Sequence, residues 1–213
     1  MEQLTLFVTG IGTNVGKSVT SAILCEALAA DYWKPVQCGD PNDTDVVKSL
    51  VSNSHTTYFP STYFLKAPKS PHAAAIDEGV TIDPEKFVLP ETNRSLVIEG
   101  AGGVLVPLTE AFYNIDLILK FNPLVVIVSE HYVGSINHTL LTFEALKKRK
   151  VSILGFVFNG EENRQSEEVI KGYSELPMIA RVQKEPVLTP QIIQEYGKKV
   201  AHALSFVLRR KLV

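Results

Sequence analysis

Short apolar runs alternate with longer amphipathic stretches along the chain. Leu4-Thr5-Leu6-Phe7-Val8 is an apolar run ending in Thr9-Gly10, the pattern of a strand buried on both faces. From Gly16 to about Ala30 the pattern turns helical and rich in Ala, Leu and Ile. Tyr32 to Val36 reads as a second strand, with Lys34 held extended by the proline that follows it. Asp43 to Val51 reads as a short helix opened by acidic residues. Residues 53–80 carry three prolines and Ser70-Pro71-His72, and read as an irregular connection; a loop of that length is usually functional. Order returns at Ser95-Leu96-Val97-Ile98, then at Leu124 to Val128 and Ile153 to Phe158, with a helical stripe from Ile136 to Lys148 between the last two. Met178 to Val182 is a weak final strand. Gln191 to Leu208 is a final helix, with Ile192, Ile193, Tyr196, Val200 and Ala203 on one side. Continuous apolar strands alternating with helices predict an α/β fold: a mostly parallel sheet flanked by helices on both faces. No repeat or linker divides the chain, so residues 1–213 read as one domain. Each polar cluster of chemical interest follows an apolar run directly. That places them together beyond the carboxyl ends of the strands, where such sheets bind ligands.

Composition narrows the function. The net charge of -2 offers no basic footprint for nucleic acid. No apolar stretch reaches the ~18 residues of a membrane span. Cys25 and Cys38 are two thiols with no disulfide framework, and Met1-Glu2-Gln3 lacks the basic start of a secretory signal, so the expected setting is reducing and cytoplasmic.

The chemistry begins at Gly10-Ile-Gly12-Thr13-Asn14-Val15-Gly16-Lys17-Ser18, between the first strand and the first helix. A P-loop has the form Gly-x4-Gly-Lys-Ser/Thr. Here five residues separate Gly10 from Gly16, one more than that form. The physical requirements are still met. Glycines let the backbone approach an anion, and helix-start amides point at phosphate. Lys17 supplies a charge for β and γ oxygens, and Ser18 a hydroxyl for magnesium. The fold expectation is therefore P-loop NTPase-like. Glu99 ends a strand before Gly100-Ala101-Gly102-Gly103, and its carboxylate suits Mg2+, a hard cation that takes oxygen ligands. Asp43 and Asp45 both open a helix, where capping is a competing role. Either one could complete the metal site.

With these residues in view, the sequence resembles the dethiobiotin synthetase family. The resemblance rests on Val8-Thr9-Gly10, Thr13 to Ser18, Lys34-Pro35-Val36-Gln37-Cys38-Gly39, Ser70-Pro71-His72, Glu99 to Gly103 and Gly134-Ser135-Ile136-Asn137-His138, in the family's order. It implies ATP-dependent carboxylation and ring closure of 7,8-diaminopelargonic acid with carbon dioxide or bicarbonate, through a carbamate and a carbamic-phosphoric anhydride. It implies Lys34 and Lys17 as catalytic residues and Ser18, Asp45 and Glu99 as the Mg2+ group. It further implies ATP contacts from Gly12, Thr13, Asn14, Val15, Gly16, Lys17, Ser18 and Val19, from Asp45, Glu99, Gly100, Ala101 and Gly102, and from Asn159 at the adenine. Substrate contacts would come from Thr13, Lys34, Cys38, Ser70 and Asn137. The last would act across a homodimer, with no nucleic-acid or membrane partner.

Three positions depart from the family pattern. Cys38 stands where Ser or Thr is usual, and a thiol is a weaker donor. Asn14 replaces a common Glu, and Ala180-Arg181-Val182-Gln183 stands where a Gly-x-Ile-Pro segment holds the adenine. The rival reading is a P-loop ATPase switch of the partition or septum-placement type. Such proteins can end in a basic membrane helix, and this chain has Leu208-Arg209-Arg210-Lys211. That class's extra lysine early in the P-loop is missing here. A cobyrinate-type amidoligase would need a glutamine-hydrolysing domain for which the chain has no room.

Overall fold

The structure is a computed structural model that describes residues 3–211, with the backbone alone for Arg210 and Lys211. Met1 and Glu2 of the expected unsignalled start lie outside the described residues, as do the Arg210 and Lys211 side chains of the basic terminal run. In chain order the elements are β1 (Thr5–Gly10), α1 (Lys17–Leu28), β2 (Asp31–Trp33), β3 (Val36–Cys38), α2 (Asp43–Leu50), β4 (Tyr58–Phe59), β5 (Tyr63–Leu65), α3 (Pro71–Asp77), a single 3-10 turn at Pro84–Lys86, β6 (Leu96–Gly103), α4 (Asn114–Phe121), β7 (Leu124–Glu130), α5 (Ser135–Lys148), β8 (Ile153–Asn159), α6 (Arg164–Ser174), β9 (Met178–Val182) and α7 (Pro190–Lys211).

Seven strands form one sheet in the order β4-β2-β6-β1-β7-β8-β9, and every pairing is parallel. β3 and β5 form a separate parallel pair. The alternation of side chains along each strand splits the interior in two. Leu6, Val8, Val97, Val126, Val128, Leu154 and Val157 pack with Ile23 and Leu24 of α1, Val47 of α2 and Ile193, Val200 and Leu204 of α7. Phe7, Ile98, Val125, Ile127, Phe156 and Phe158 pack on the opposite face with α4, α5 and α6. Full burial of each such side chain stabilises by about 1.5–3 kcal/mol, so the two interiors together hold the sheet between its helix layers. The expected α/β architecture with helices on both faces is what forms.

Local differences have physical causes. The single strand expected over 32–36 is two strands in two sheets. Pro35 has no N–H to continue the ladder, so the chain leaves the main sheet there and Lys34 stands at the strand's carboxyl end. The stretch expected to be irregular contains β4, β5 and α3. The two strands span two and three residues, too few for a period to register, and α3 starts with Pro71 at its first position. Two helices absent from the sequence pattern, α4 and α6, cover the second face. The long helix α7 lies along α1 and turns Ile193, Tyr196, Val200 and Leu204 inward. Its apolar face is thereby occupied within the fold. Among the described residues, no helix is long and apolar enough to cross a membrane.

Candidate active site

The loop between β1 and α1 runs along the carboxyl edge of the central strands. Asn14 has φ 60 and Gly16 has φ 92. Asn tolerates that left-handed region better than most residues, and at Gly16 it is compulsory for a second reason. A Cβ on Gly16 would come within 2.1 Å of Asn159 Nδ2, whereas a Cβ on Gly12 would meet nothing within 4 Å. Gly12 therefore leaves an open approach, and Gly16 lets Asn159 press against the loop. The first turn of α1 has no acidic residue and no side-chain cap, so its amides and positive dipole end remain available for an anion.

Below this loop lies a charged cluster. Ser18 Oγ sits 2.7 Å from Asp43 Oδ1 and 3.0 Å from Glu99 Oε1. Lys34 Nζ donates to Glu99 Oε1 at 3.0 Å and is paired with Asp43 Oδ2. On its other oxygen, Glu99 accepts from Ser21 Oγ at 2.9 Å and from Tyr32 OH at 3.0 Å. Glu99 and Lys34 are 1% and 4% exposed, so both charges survive burial through each other and through these donors. Lys17 is folded back, its Nζ donating to Gly12 O at 2.9 Å. Burial holds the Lys17 pKa below the ordinary lysine value; the Glu99 carboxylate opposes this and Lys34 reinforces it. Burial also acts against the charge on Lys34, but the Glu99 and Asp43 carboxylates outweigh it, and the pKa of Lys34 rises.

The donor set fits Mg2+. A serine hydroxyl and two carboxylates converge, all hard oxygens, and a cation, the Lys34 ammonium, already bridges the carboxylates. Mg2+ typically takes one or two carboxylates and shares its remaining sphere with phosphate and water, and Asp43 and Glu99 supply two.

The two acidic residues at the start of α2 face different ways. Asp45 is exposed, and its carboxylate accepts from Asn42 Nδ2 at 3.0 Å. Asp43 is the one turned towards Ser18 and Lys34. The two lie two residues apart in the first turn of α2 and so point to different sides of the helix. Gln37 decides the orientation. It is buried, its Oε1 accepts from the Asp43 amide at 3.2 Å, and its Nε2 donates to the carbonyls of Gly39 and Pro41.

The other expected residues fall into groups. Gly12, Thr13, Asn14, Val15, Gly16, Lys17, Ser18 and Val19 form the loop and the start of α1. Gly100, Ala101 and Gly102 continue β6 alongside it, and a Cβ on Gly102 would lie 3.8 Å from Thr13 Oγ1. Asn159 ends β8 and donates to Val15 O at 3.1 Å, which makes it a brace for the loop. Cys38 ends β3 and pairs in register with Leu65 of β5, whose chain runs on to Ser70 at the start of α3. Burial pushes the Cys38 thiol up to about 11, with Lys34 pulling the other way. Asn137 is exposed in the first turn of α5, apart from the Ser18–Lys34–Glu99 cluster. It lines a cavity of about 670 Å3 with His131, Gly134, Asn163 and Ser166. Arg181, in the divergent segment of β9, pairs with the buried Glu167, which also meets His131 Nε2 at 2.9 Å. Ser21 and Tyr32 were missed by sequence reasoning, and Gln37 was read only as part of the Lys34-to-Gly39 motif, with no role of its own. For Ser21 the signal was spacing, since it lies three residues after Ser18 on the same helix face.

A family model described as an AAA domain (AAA_26) matches residues 4–192. ATP-dependent dethiobiotin synthetase BioD of Christiangramia forsetii is 47% identical over 195 residues, covering 91% of this chain and 94% of that protein. The protein of the same description from Cytophaga hutchinsonii is 45% identical over 196 residues, covering 91% and 95%. Among solved structures, the Pyrococcus furiosus cell division ATPase MinD superposes with a TM-score of 0.57 at 15% identity, covering all of both chains. A plasmid partition protein from Borrelia burgdorferi superposes with a TM-score of 0.61 at 12% identity, covering 99% of this chain and 100% of that one. These structural likenesses concern the fold alone.

Proposed function

The chain belongs to the ATP-dependent dethiobiotin synthetase family, and from that premise we propose how its residues make dethiobiotin. It is an ATP-dependent ligase, and its place is in biotin biosynthesis. The substrates in this reading are 7,8-diaminopelargonic acid, carbon dioxide and ATP. The observation that carries the reading is Lys34: a buried ammonium at the end of β2, paired with Glu99 and Asp43 at the foot of a phosphate loop. The rival switch class carries its extra lysine early in the phosphate loop, not at the end of β2. A reaction that drives an anionic carbamate onto an anionic phosphate needs positive charge there.

In this mechanism one amine of the substrate takes up carbon dioxide, loses a proton and becomes a carbamate. A carbamate oxygen attacks the γ-phosphorus and ADP departs, leaving a carbamic-phosphoric anhydride. The second amine then attacks the carbonyl carbon, closes the cyclic urea and expels phosphate. The loop amides and Lys17 hold the phosphates, with Lys17 exchanging its bond to Gly12 O for phosphate oxygens. Lys34 pairs with the carbamate and the transferring phosphoryl group. Ser18, Asp43 and Glu99 would hold Mg2+, which neutralises charge on the phosphate oxygens. Thr13, Cys38 and Ser70 line the substrate side, Asn159 meets the adenine, and Asn137 reaches the substrate of a neighbouring copy in a homodimer. A cytoplasmic setting belongs to the same reading, since Cys25 and Cys38 are free thiols.

The test is ATP turnover with diaminopelargonate and bicarbonate, with dethiobiotin followed by mass spectrometry. Phosphate release should require the diamine and match the ring formed. Release that ignores the diamine and responds to lipid or DNA would overturn the reading in favour of a switch.

A further inference from the structure

Glu99 has two oxygens in different surroundings. Oε2 accepts from Ser21 Oγ at 2.9 Å and from Tyr32 OH at 3.0 Å. Both donors are fully buried, and each has a single proton, committed to this oxygen. Two donors occupy the two lone pairs of Oε2. Oε1 is different. It accepts from Lys34 at 3.0 Å, and its second neighbour, Ser18 Oγ, has one proton and a nearer acceptor in Asp43 Oδ1, at 2.7 Å against 3.0 Å. One oxygen of Glu99 is thus saturated from below and the other is turned to the cation side.

We propose that Tyr32 and Ser21 are positioning residues that restrict Glu99 to coordination through one oxygen and thereby set the site's preference for Mg2+ over Ca2+. Mg2+ is small and wants near-ideal octahedral geometry with one oxygen from each carboxylate. Ca2+ takes six to eight oxygens and readily uses both oxygens of a carboxylate. A carboxylate whose second oxygen is held by two buried hydroxyls cannot chelate without breaking both bonds. The restraint costs Mg2+ nothing and penalises Ca2+. It lies outside the phosphate loop, in the packing of α1 and β2 against β6.

This inference rests on the reading that Glu99 holds the divalent cation. The experiment measures ADP dissociation constants by calorimetry with saturating Mg2+, with saturating Ca2+ and with EDTA. It compares the wild type with Tyr32→Phe, Ser21→Ala and the double variant. Phe keeps the ring in the core and Ala suits a helix, and thermal unfolding checks each fold. The wild type should bind ADP more tightly with Mg2+ than with Ca2+. Loss of the hydrogen bonds to the charged oxygen should lower the Ca2+-to-Mg2+ ratio of dissociation constants about tenfold in the double variant, with the singles between. A ratio unchanged in all three variants would overturn the proposal, as would a uniform weakening with both cations, the signature of a merely structural role. Wild-type ADP binding that is no tighter with Mg2+ than with EDTA would instead remove the metal reading itself.

Discussion

Lys34→Met keeps the length of the side chain and removes its charge, so it separates electrostatics from packing. Lys34 is 4% exposed and bridges Glu99, at 1%, to Asp43, whose side chain is 28% exposed. Removing one partner of a buried pair costs about 3–5 kcal/mol, because the remaining charge is left in a poorly solvating place. Asp43 reaches water, so the lower end applies, about 3 kcal/mol. In a chain of this size that lowers Tm by about 6–12 °C. The pH dependence has a definite sign. The folded pKa of Lys34 is raised, so its contribution is fully present below the ordinary lysine value and is lost as pH climbs through the folded one. The wild type should therefore lose stability in that alkaline window by an amount that Lys34→Met does not. Thermal unfolding by circular dichroism between pH 5 and 11 measures all of this. Dethiobiotin formation should be nearly abolished while ADP binding persists. A variant as stable as the wild type at pH 7, or one that still closes the ring at full rate, would refute the assignment of Lys34.

Other perturbations follow from the same geometry. Asp43→Asn should weaken Mg2+-dependent ADP binding at least about tenfold, as expected for loss of a charged contact, while Asp45→Asn should match the wild type in calorimetry. Gly16→Ala should cost about 1–3 kcal/mol in chemical denaturation and abolish nucleotide binding. It forces a positive φ on alanine and a 2.1 Å contact with Asn159, whereas Gly12→Ala should unfold close to the wild type. The Cys38 thiol, pushed up to about 11, should hold about a hundredfold less thiolate at pH 8 than an ordinary cysteine. Iodoacetamide labelling of the folded protein should accordingly be slow at pH 8 and accelerate through pH 11, and rapid labelling at neutral pH would contradict its burial.

Local pattern alone marks much of this protein. The apolar runs that became β1, β6, β7 and β8 are continuous because both their faces are covered, and that continuity is visible without coordinates. The phosphate loop follows from a glycine-rich turn between strand and helix. Glu99 and Lys34 stand out because strand ends are where such sheets place their chemistry, and Pro35 ends the ladder one residue after Lys34. What the tertiary structure decided is relative orientation. Asp43 and Asp45 are equivalent as letters in a helix start, and only the docking of α2, through Gln37, turns one inward and leaves the other in water. β4 and β5 are too short to carry a period and exist because β2 and β3 offer them edges. Ser21 and Tyr32 look like ordinary members of a helix and a strand. They meet Glu99 across separations of 78 and 67 residues, contacts between segments whose spacing along the chain carries no signal of their approach in space.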